Sequence, residues 1–195
     1  MIRDVSFHTD EVGDENSISN AILAKRWLMS EGLTQVFCGE GKGKTTAAIG
    51  QAIRVASQGR SVFVIQFLKG KSGTELEYIK RLEPEIKLFS FEKSEEFFSD
   101  LTEDEQKEEI RNIRNGLCFA KKVLVTGECD HLILDEILGL IDTGIMSIED
   151  LKGIIDAKPE DATLVLTGIH LTPEIAEMVD EVSQVMTVKS MAAVS

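Results

Sequence analysis

The sequence predicts an α/β fold in which a mainly parallel central sheet is flanked by helices. Short apolar segments alternate with helix-like segments along the chain, which is the pattern of parallel strands joined by right-handed crossovers. A glycine-rich turn follows the first apolar segment and leads into a helix-like one. A later apolar segment ends in two acidic residues, Asp135 and Glu136. Together these observations predict a single domain that contains a phosphate-binding loop.

The first half of the chain supplies the first strands of this sheet. The apolar run at residues 33–37 precedes a helix-like segment at 46–57, which ends before Gly59. Residues 61–68 are almost continuously apolar, as expected for a strand buried on both faces of a parallel sheet. We predict a short helix at 74–82 and a further strand at 86–91.

The second half of the chain continues the alternation. Thr102 and Glu105 form a capping box at the start of a long helix that we expect to reach about residue 125. The apolar run 131–134 predicts the strand before Asp135. Pro173 suits the first position of a helix. The other predicted elements are a helix at 147–157 and strands at 162–166 and 181–188.

The glycine-rich turn has the sequence CGEGKGKTT at residues 38–46. A turn between a strand and a helix directs backbone N–H groups and the positive end of the helix dipole at one place, where they bind phosphate. Lys44 would add a positive charge to the phosphates, and the hydroxyl of Thr45 would hold Mg²⁺. The match to GxxxxGK[ST] is imperfect because Cys38 occupies the position of the first glycine. A turn that merely contains glycines therefore stays open as an alternative.

Asp135 and Glu136 provide the second half of a nucleotide site. A strand that follows the phosphate loop and ends in an aspartate can place the carboxylate beside the loop, where it holds Mg²⁺ directly or through water. Glu136 could position or deprotonate a reacting group. An acidic turn after a strand is common in isolation, but its occurrence downstream of Lys44 and Thr45 favours a nucleotide site.

Two further loops are candidates for ligand contacts. Lys69 and Lys71 follow the strand predicted at 61–68, at an edge where open α/β sheets bind ligands, although a solvated turn is an equal alternative. Phe97 and Phe98 lie in an otherwise acidic loop. They either pack into a neighbouring groove or cover a large, flat, apolar ligand.

Size, charge and cysteine content restrict the class of protein. A chain of 195 residues suits one domain. Its net charge of −13 argues against a sequence-independent nucleic-acid binder, which needs a basic face. The cysteines are too scattered for a disulfide framework or a zinc site, and no apolar run approaches the roughly 20 residues that span a bilayer. We expect a cytoplasmic protein with no membrane or nucleic-acid partner.

The chain divides into three predicted parts. Residues 1–30 form an N-terminal arm, polar up to residue 17, and a short amphipathic helix at 19–30, with Trp27 as a packing anchor. Residues 31–190 form the phosphate-binding domain, and residues 191–195 form a short tail.

Four segments resemble the ATP:corrinoid adenosyltransferases of the CobA/CobO/BtuR type. They are FCGEGKGKTTAA at 37–48, VIQFLKG at 64–70, LDE at 134–136 and LTG at 166–168. The resemblance extends from about residue 32 to residue 189. The phosphate loop of this family has the same GxGKGKTT form, which accounts for the displaced glycine.

The resemblance implies a RecA-like P-loop fold, usually a homodimer, that acts in cobalamin biosynthesis. The enzyme would transfer the 5′-deoxyadenosyl group of ATP to the Co(I) centre of a reduced corrinoid and release triphosphate. ATP and the corrinoid would be substrates, Mg²⁺ a cofactor, and a reduced flavoprotein a suitable electron donor. The implied nucleotide-binding residues are Gly39, Glu40, Gly41, Lys42, Gly43, Lys44, Thr45 and Thr46.

The resemblance also implies roles for individual residues. Lys44 and Glu136 would be catalytic, and Thr45 and Asp135 would hold Mg²⁺. Phe97 and Phe98 occupy about the position of the aromatic residues that contact the corrin in this family.

This chain departs from the family pattern in three places. Ile169 stands where an arginine commonly follows Thr-Gly, no aromatic residue occurs at 137–139, and only residues 190–195 follow Lys189. Two alternatives therefore stay open. One is another P-loop NTPase or kinase that transfers the γ-phosphoryl group, and the other is a module that binds ATP and a corrinoid with weak or no turnover.

Overall fold

The computed structural model describes residues 32–68, 78–91 and 98–189. In this part of the chain six strands form one sheet in the order β3-β2-β4-β5-β1-β6, and every neighbouring pair is parallel. The strands are β1 (Thr34–Cys38), β2 (Val62–Gln66), β3 (Ile86–Ser90), β4 (His131–Asp135), β5 (Thr163–Thr167) and β6 (Glu181–Gln184). The predicted α/β fold with a mainly parallel sheet is confirmed.

Helices flank this sheet and connect its strands. They are α1 (Lys44–Ala56), α2 (Glu103–Thr126), α3 (Ile137–Asp142), α4 (Ile148–Ile155) and α5 (Pro173–Ala176), with 3₁₀ turns at Lys80–Leu82 and Phe98–Asp100. The predicted capping box begins α2, where Glu105 accepts hydrogen bonds from the backbone N–H of Thr102 at 2.9 Å and from its hydroxyl at 2.6 Å. No helix among the described residues is long and apolar enough to cross a bilayer.

The central strands are buried on both faces. Every residue of β2 and of β4 is buried. In β2, Val62 and Val64 pack in a cluster with Ala48 and Ala52 of α1, whereas Phe63 and its neighbours on the opposite face pack with α2, α3 and α4. Helices on both faces explain why these strands read as continuous apolar runs.

Two elements differ from the sequence-based predictions. The last strand ends at Gln184 and not at residue 188, because its partner β1 ends at Cys38, where the chain turns into the glycine-rich loop. Helix α3 had no counterpart among the predicted elements. Residues 78–82 are helical as predicted, whereas residues 74–77 lie outside the described part. The predicted arm at 1–30 and tail at 191–195 also lie outside it.

Candidate functional site

The candidate site lies where β4, β5 and β1 end side by side. These strands are neighbours in the sheet, so their carboxyl ends open onto one edge. The glycine-rich loop follows β1, Asp135 ends β4 and Thr167 ends β5. Ligands of open α/β sheets bind in the crevice at this edge. The sheet therefore brings together the phosphate loop and the acidic strand end, as the sequence predicted.

Glycine is required at three loop positions, for two different reasons. Gly39 and Gly43 have φ values of 106° and 109°, which side chains rarely adopt. At Gly41 an added Cβ would lie 2.7 Å from the carbonyl oxygen of Val185. The loop is held close to the segments after β5 and β6, because Gly39 N–H donates to Ile169 O at 2.9 Å and Gly41 N–H donates to Val185 O at 3.0 Å.

The start of α1 presents backbone N–H groups to the site. Helix α1 begins at Lys44, and its N-cap Gly43 makes no side-chain capping bond. The hydrogen bond from Ala47 N to Gly43 O, at 2.8 Å, closes the first turn. The N–H groups before Ala47 have no acceptor within the helix, so together with the helix dipole they form a positive end that suits an anion. This geometry supports phosphate binding at the N–H groups of Gly43, Lys44, Thr45 and Thr46.

Lys44 lies under the loop and is only 9% exposed. Its ammonium donates to the carbonyl oxygens of Gly39 and Gly41 at 2.7 and 3.0 Å. These bonds hold a positive charge inside the loop, where a phosphate would compete with the two carbonyl oxygens for the ammonium. Glu40 and Lys42 are exposed on the same loop.

Asp135 is fully buried and its two oxygens have different surroundings. Oδ1 accepts hydrogen bonds from the hydroxyls of Thr45 and Thr167, each at 2.8 Å. Oδ2 lies 3.5 Å from the amide nitrogen of Gln66, at the outer limit of a hydrogen bond. The predicted pair Thr45 and Asp135 is thus in direct contact. Thr167 and Gln66 were missed, although each is a polar residue at the carboxyl end of a largely apolar strand.

This donor set fits Mg²⁺. The cation prefers oxygen ligands and is usually held by one or two protein groups together with phosphate oxygens and water. Thr45 and Asp135 supply a hydroxyl and a carboxylate. Among the described residues there is no cluster of three or more His, Cys, Asp or Glu side chains that could hold a metal ion without such help.

Glu136 adopts an unusual backbone conformation at the N-cap of α3. Its φ of 60° and ψ of 23° lie in the left-handed region, and its N–H donates to the hydroxyl of Thr167 at 2.8 Å. Leu68, just beyond β2, also has a positive φ. Such strained residues cluster at functional sites, where the surrounding structure must hold them.

A cavity of about 680 Å³ opens beside the loop. Its walls are residues 38–41, residues 169–171 and the β6 segment with the residues that follow it. Ile169 is 44% exposed at this cavity, so an apolar side chain stands where the resemblance leads one to expect arginine.

Cys38 and His170 are titratable residues that line the same cavity. The imidazole of His170 places Nδ1 3.0 Å from Asp142 Oδ2. Burial raises the pKa of the Cys38 thiol, and the nearby Lys44 opposes that rise.

The aromatic and basic loops are described only in part. Phe98 is half-buried at the start of a 3₁₀ turn, and its carbonyl accepts a hydrogen bond from the Gln106 side chain at 3.2 Å. Phe97, Lys69 and Lys71 lie outside the described residues. Contact of the two phenylalanines with a corrin stays a prediction.

Comparison with known proteins gives a family match over most of the chain. The family model described as ATP:corrinoid adenosyltransferase BtuR/CobO/CobP matches residues 30–194. A corrinoid adenosyltransferase from Escherichia coli (strain K12) is 31% identical over 160 residues, which cover 81% of this chain and 78% of that protein. Corrinoid adenosyltransferase CobA from Salmonella typhimurium is 30% identical over 163 residues, with the same coverage of both chains.

A solved structure supports the fold. A KaiC-like protein from the archaeon Pyrococcus horikoshii superposes with a TM-score of 0.50 over 82% of this chain and 75% of that chain. The two sequences are 14% identical, so the likeness concerns the fold alone. With the parallel sheet and the loop described above, it confirms the predicted RecA-like P-loop fold.

Proposed function

The chain belongs to the ATP:corrinoid adenosyltransferase family BtuR/CobO/CobP, and from this premise we propose that it transfers the 5′-deoxyadenosyl group of ATP to the Co(I) centre of a reduced corrinoid and releases triphosphate. The observation that carries the proposal is the 2.8 Å hydrogen bond between Thr45 and Asp135, which joins the phosphate loop to the acidic strand end. This contact supports a site for a polyphosphate and its cation.

The phosphate side of the reaction follows from the loop. The N–H groups at the start of α1 and the ammonium of Lys44 would bind the triphosphate of ATP. Negative charge increases on the departing oxygen as the bond to C5′ breaks, and fixed donors near the phosphates stabilise that charge most in the transition state. To reach a phosphate, Lys44 would exchange one or both of its bonds to the carbonyls of Gly39 and Gly41.

Thr45 and Asp135 would hold Mg²⁺, with phosphate oxygens and water as its other ligands. Bound there, Mg²⁺ would neutralise part of the charge on the triphosphate. Glu136 lies beside Asp135 and would order water or ligand groups at the same edge. Its N–H bond to Thr167 keeps its backbone in place.

The carbon side of the reaction needs little acid–base chemistry from the protein. An electron pair of Co(I) would attack C5′, the C5′–O bond would break, and its electron pair would leave with the triphosphate. A Co–C bond forms and cobalt becomes formally Co(III). Because the reduced corrinoid carries the nucleophile, the protein contributes orientation and exclusion of water.

We extend the proposal to the corrinoid and the cellular setting. Phe97 and Phe98 would contact the flat corrin ring, since large apolar side chains in an acidic loop suit such a ligand. A homodimer and a reduced flavoprotein as electron donor follow from the family resemblance, and we keep the cytoplasmic location that the sequence predicts. The free thiols of Cys38, Cys118 and Cys129 agree with a reducing compartment.

Anaerobic incubation with ATP, Mg²⁺ and chemically reduced cobalamin tests the proposal. We expect tripolyphosphate and a light-sensitive alkylcobalt product in equal amounts. Release of ADP without alkylcobalt absorbance would refute it in favour of a kinase or NTPase. Tight binding of ATP and cobalamin without turnover would refute the transferase proposal in favour of a binding module. Ile169 motivates this arm of the test, because it lines the cavity at the position where the family commonly has arginine.

A further inference from the structure

The hydroxyl of Thr167 bonds two consecutive residues at the end of the neighbouring strand. Thr167 is fully buried at the carboxyl end of β5, between β4 and β1. Its Oγ1 donates to Asp135 Oδ1 at 2.8 Å and accepts from the N–H of Glu136 at 2.8 Å. One side chain thus contacts both acidic residues of the candidate site.

This arrangement uses both hydrogen-bonding capacities of the hydroxyl. A threonine hydroxyl has one donor and two acceptor lone pairs. The donor is committed to a buried carboxylate, and one acceptor supports the left-handed backbone of Glu136. A valine in the same place has nearly the same shape but neither capacity. Asp135 Oδ1 would keep only the hydroxyl of Thr45, and the N–H of Glu136 would lose its acceptor. Such losses are costly at buried groups, so both acidic residues would shift.

The bond also determines which oxygen of Asp135 is available. Oδ1 accepts both hydroxyls, from Thr45 and from Thr167. Among the described side chains, the contact of Oδ2 is the long one of 3.5 Å with Gln66. The two hydrogen bonds to Oδ1 restrict rotation of the carboxylate. Oδ2 then keeps its lone pairs for a cation or for a water molecule bound to that cation.

We propose that Thr167 is a positioning residue that orients Asp135 and Glu136 for a divalent cation bound together with the nucleotide. The proposal rests on the proposed function in one respect, the assignment of Asp135 to the metal. Residues that orient a metal ligand through a hydrogen bond typically change metal affinity or activity about 10- to 100-fold when they are replaced.

The test measures cation binding in the absence of corrinoid, so that no adenosyl transfer takes place. Mn²⁺, which is visible by electron paramagnetic resonance, is titrated into the protein saturated with ATP. We expect Thr167→Val to weaken Mn²⁺ binding about 10- to 100-fold and Thr167→Ser, which keeps the hydroxyl, to stay within about threefold of the unmodified protein. Thr163→Val is the matched control at the other end of the same strand, and it should leave Mn²⁺ affinity unchanged.

Wild-type Mn²⁺ affinity in folded Thr167→Val would overturn the proposal, as would an equal loss in Thr163→Val. If Thr167→Val does not fold, Thr167→Ala removes the same hydroxyl without a second methyl group beside the carboxylate, and it must show the same loss relative to Thr167→Ser. The assay separates this proposal from the proposed function. A protein that makes no adenosylcobalamin but loses Mn²⁺ affinity on removal of the hydroxyl would refute only the transferase reaction.

Discussion

Replacement of Lys44 by alanine should weaken triphosphate binding much more than it weakens the fold. A lysine charge about 4 Å from a phosphate charge contributes about 4 kcal/mol at an effective dielectric constant of about 20. Lys44 already donates to two carbonyls of the loop, and each charged hydrogen bond is worth about 1.5–3 kcal/mol. Part of that energy is lost when the ammonium turns to the phosphate. The net loss in Lys44→Ala should therefore be about 2–3 kcal/mol, or roughly 30- to 150-fold in affinity.

Isothermal titration with tripolyphosphate and Mg²⁺ measures this affinity directly, and circular dichroism checks the fold. Lys42→Ala is the comparison variant: Lys42 is also an implied nucleotide-binding residue, but it carries its charge at an exposed position of the same loop. Solvent screens that charge, so we expect a loss of less than about fivefold. Adenosyl transfer by Lys44→Ala should fall at least as far as its affinity.

Two results would refute this reasoning. Folded Lys44→Ala with an affinity within about threefold of the unmodified protein would show that the ammonium does not reach the phosphates. An equal loss in Lys42→Ala would show that the loop acts through its total charge and not through the buried position of Lys44.

Three further predictions concern the loop, the fold and the cavity. Gly41→Ala should abolish nucleotide binding, because its Cβ would meet the carbonyl oxygen of Val185 at 2.7 Å and push the loop away; equilibrium dialysis with ATP measures this. His131 is buried without a partner for Nε2 among the described side chains, and burial, with smaller effects of nearby arginines, lowers its pKa to about 4. The folded state therefore resists protonation, and the protein should lose about 3 kcal/mol relative to His131→Leu as the pH falls from about 6.5 to about 4; denaturant unfolding at several pH values measures the difference. Ile169→Arg should raise tripolyphosphate affinity by about 2- to 5-fold, because it adds a partly screened positive charge at the cavity beside the loop.

Each of these predictions has a control variant or a result that would contradict its physical reason. Gly50→Ala changes a glycine in the interior of α1 with open space around it, and it should stabilise the protein by about 0.5–1 kcal/mol without affecting ATP binding. A constant stability difference between His131→Leu and the unmodified protein across the pH range would contradict the histidine prediction. Ile169→Gln keeps a long side chain without charge, and an equal gain in affinity there would contradict the charge argument.

The sequence alone predicted the fold class and the centre of the site, because both depend on local patterns. The continuous apolar run of β2 indicates a strand buried on two faces, and the glycines followed by Lys44 and Thr45 indicate a turn that leads into a helix. The position of Asp135 at the end of an apolar strand was also visible. Parallel strands end at a common edge, so the approach of Asp135 to the loop followed from the fold class.

The contacts that complete the site were decided only by the tertiary structure. Thr167 reaches Asp135 across 32 positions of the chain, and nothing in its local sequence indicates that its hydroxyl bonds two acidic residues. The need for glycine at 41 arises from Val185, which follows β6 and is distant in the sequence. Strand order and register place these groups within hydrogen-bond distance, and they are set by packing of the whole sheet. Local sequence therefore predicted which groups would bind phosphate, and long-range pairing decided which residues hold those groups in place.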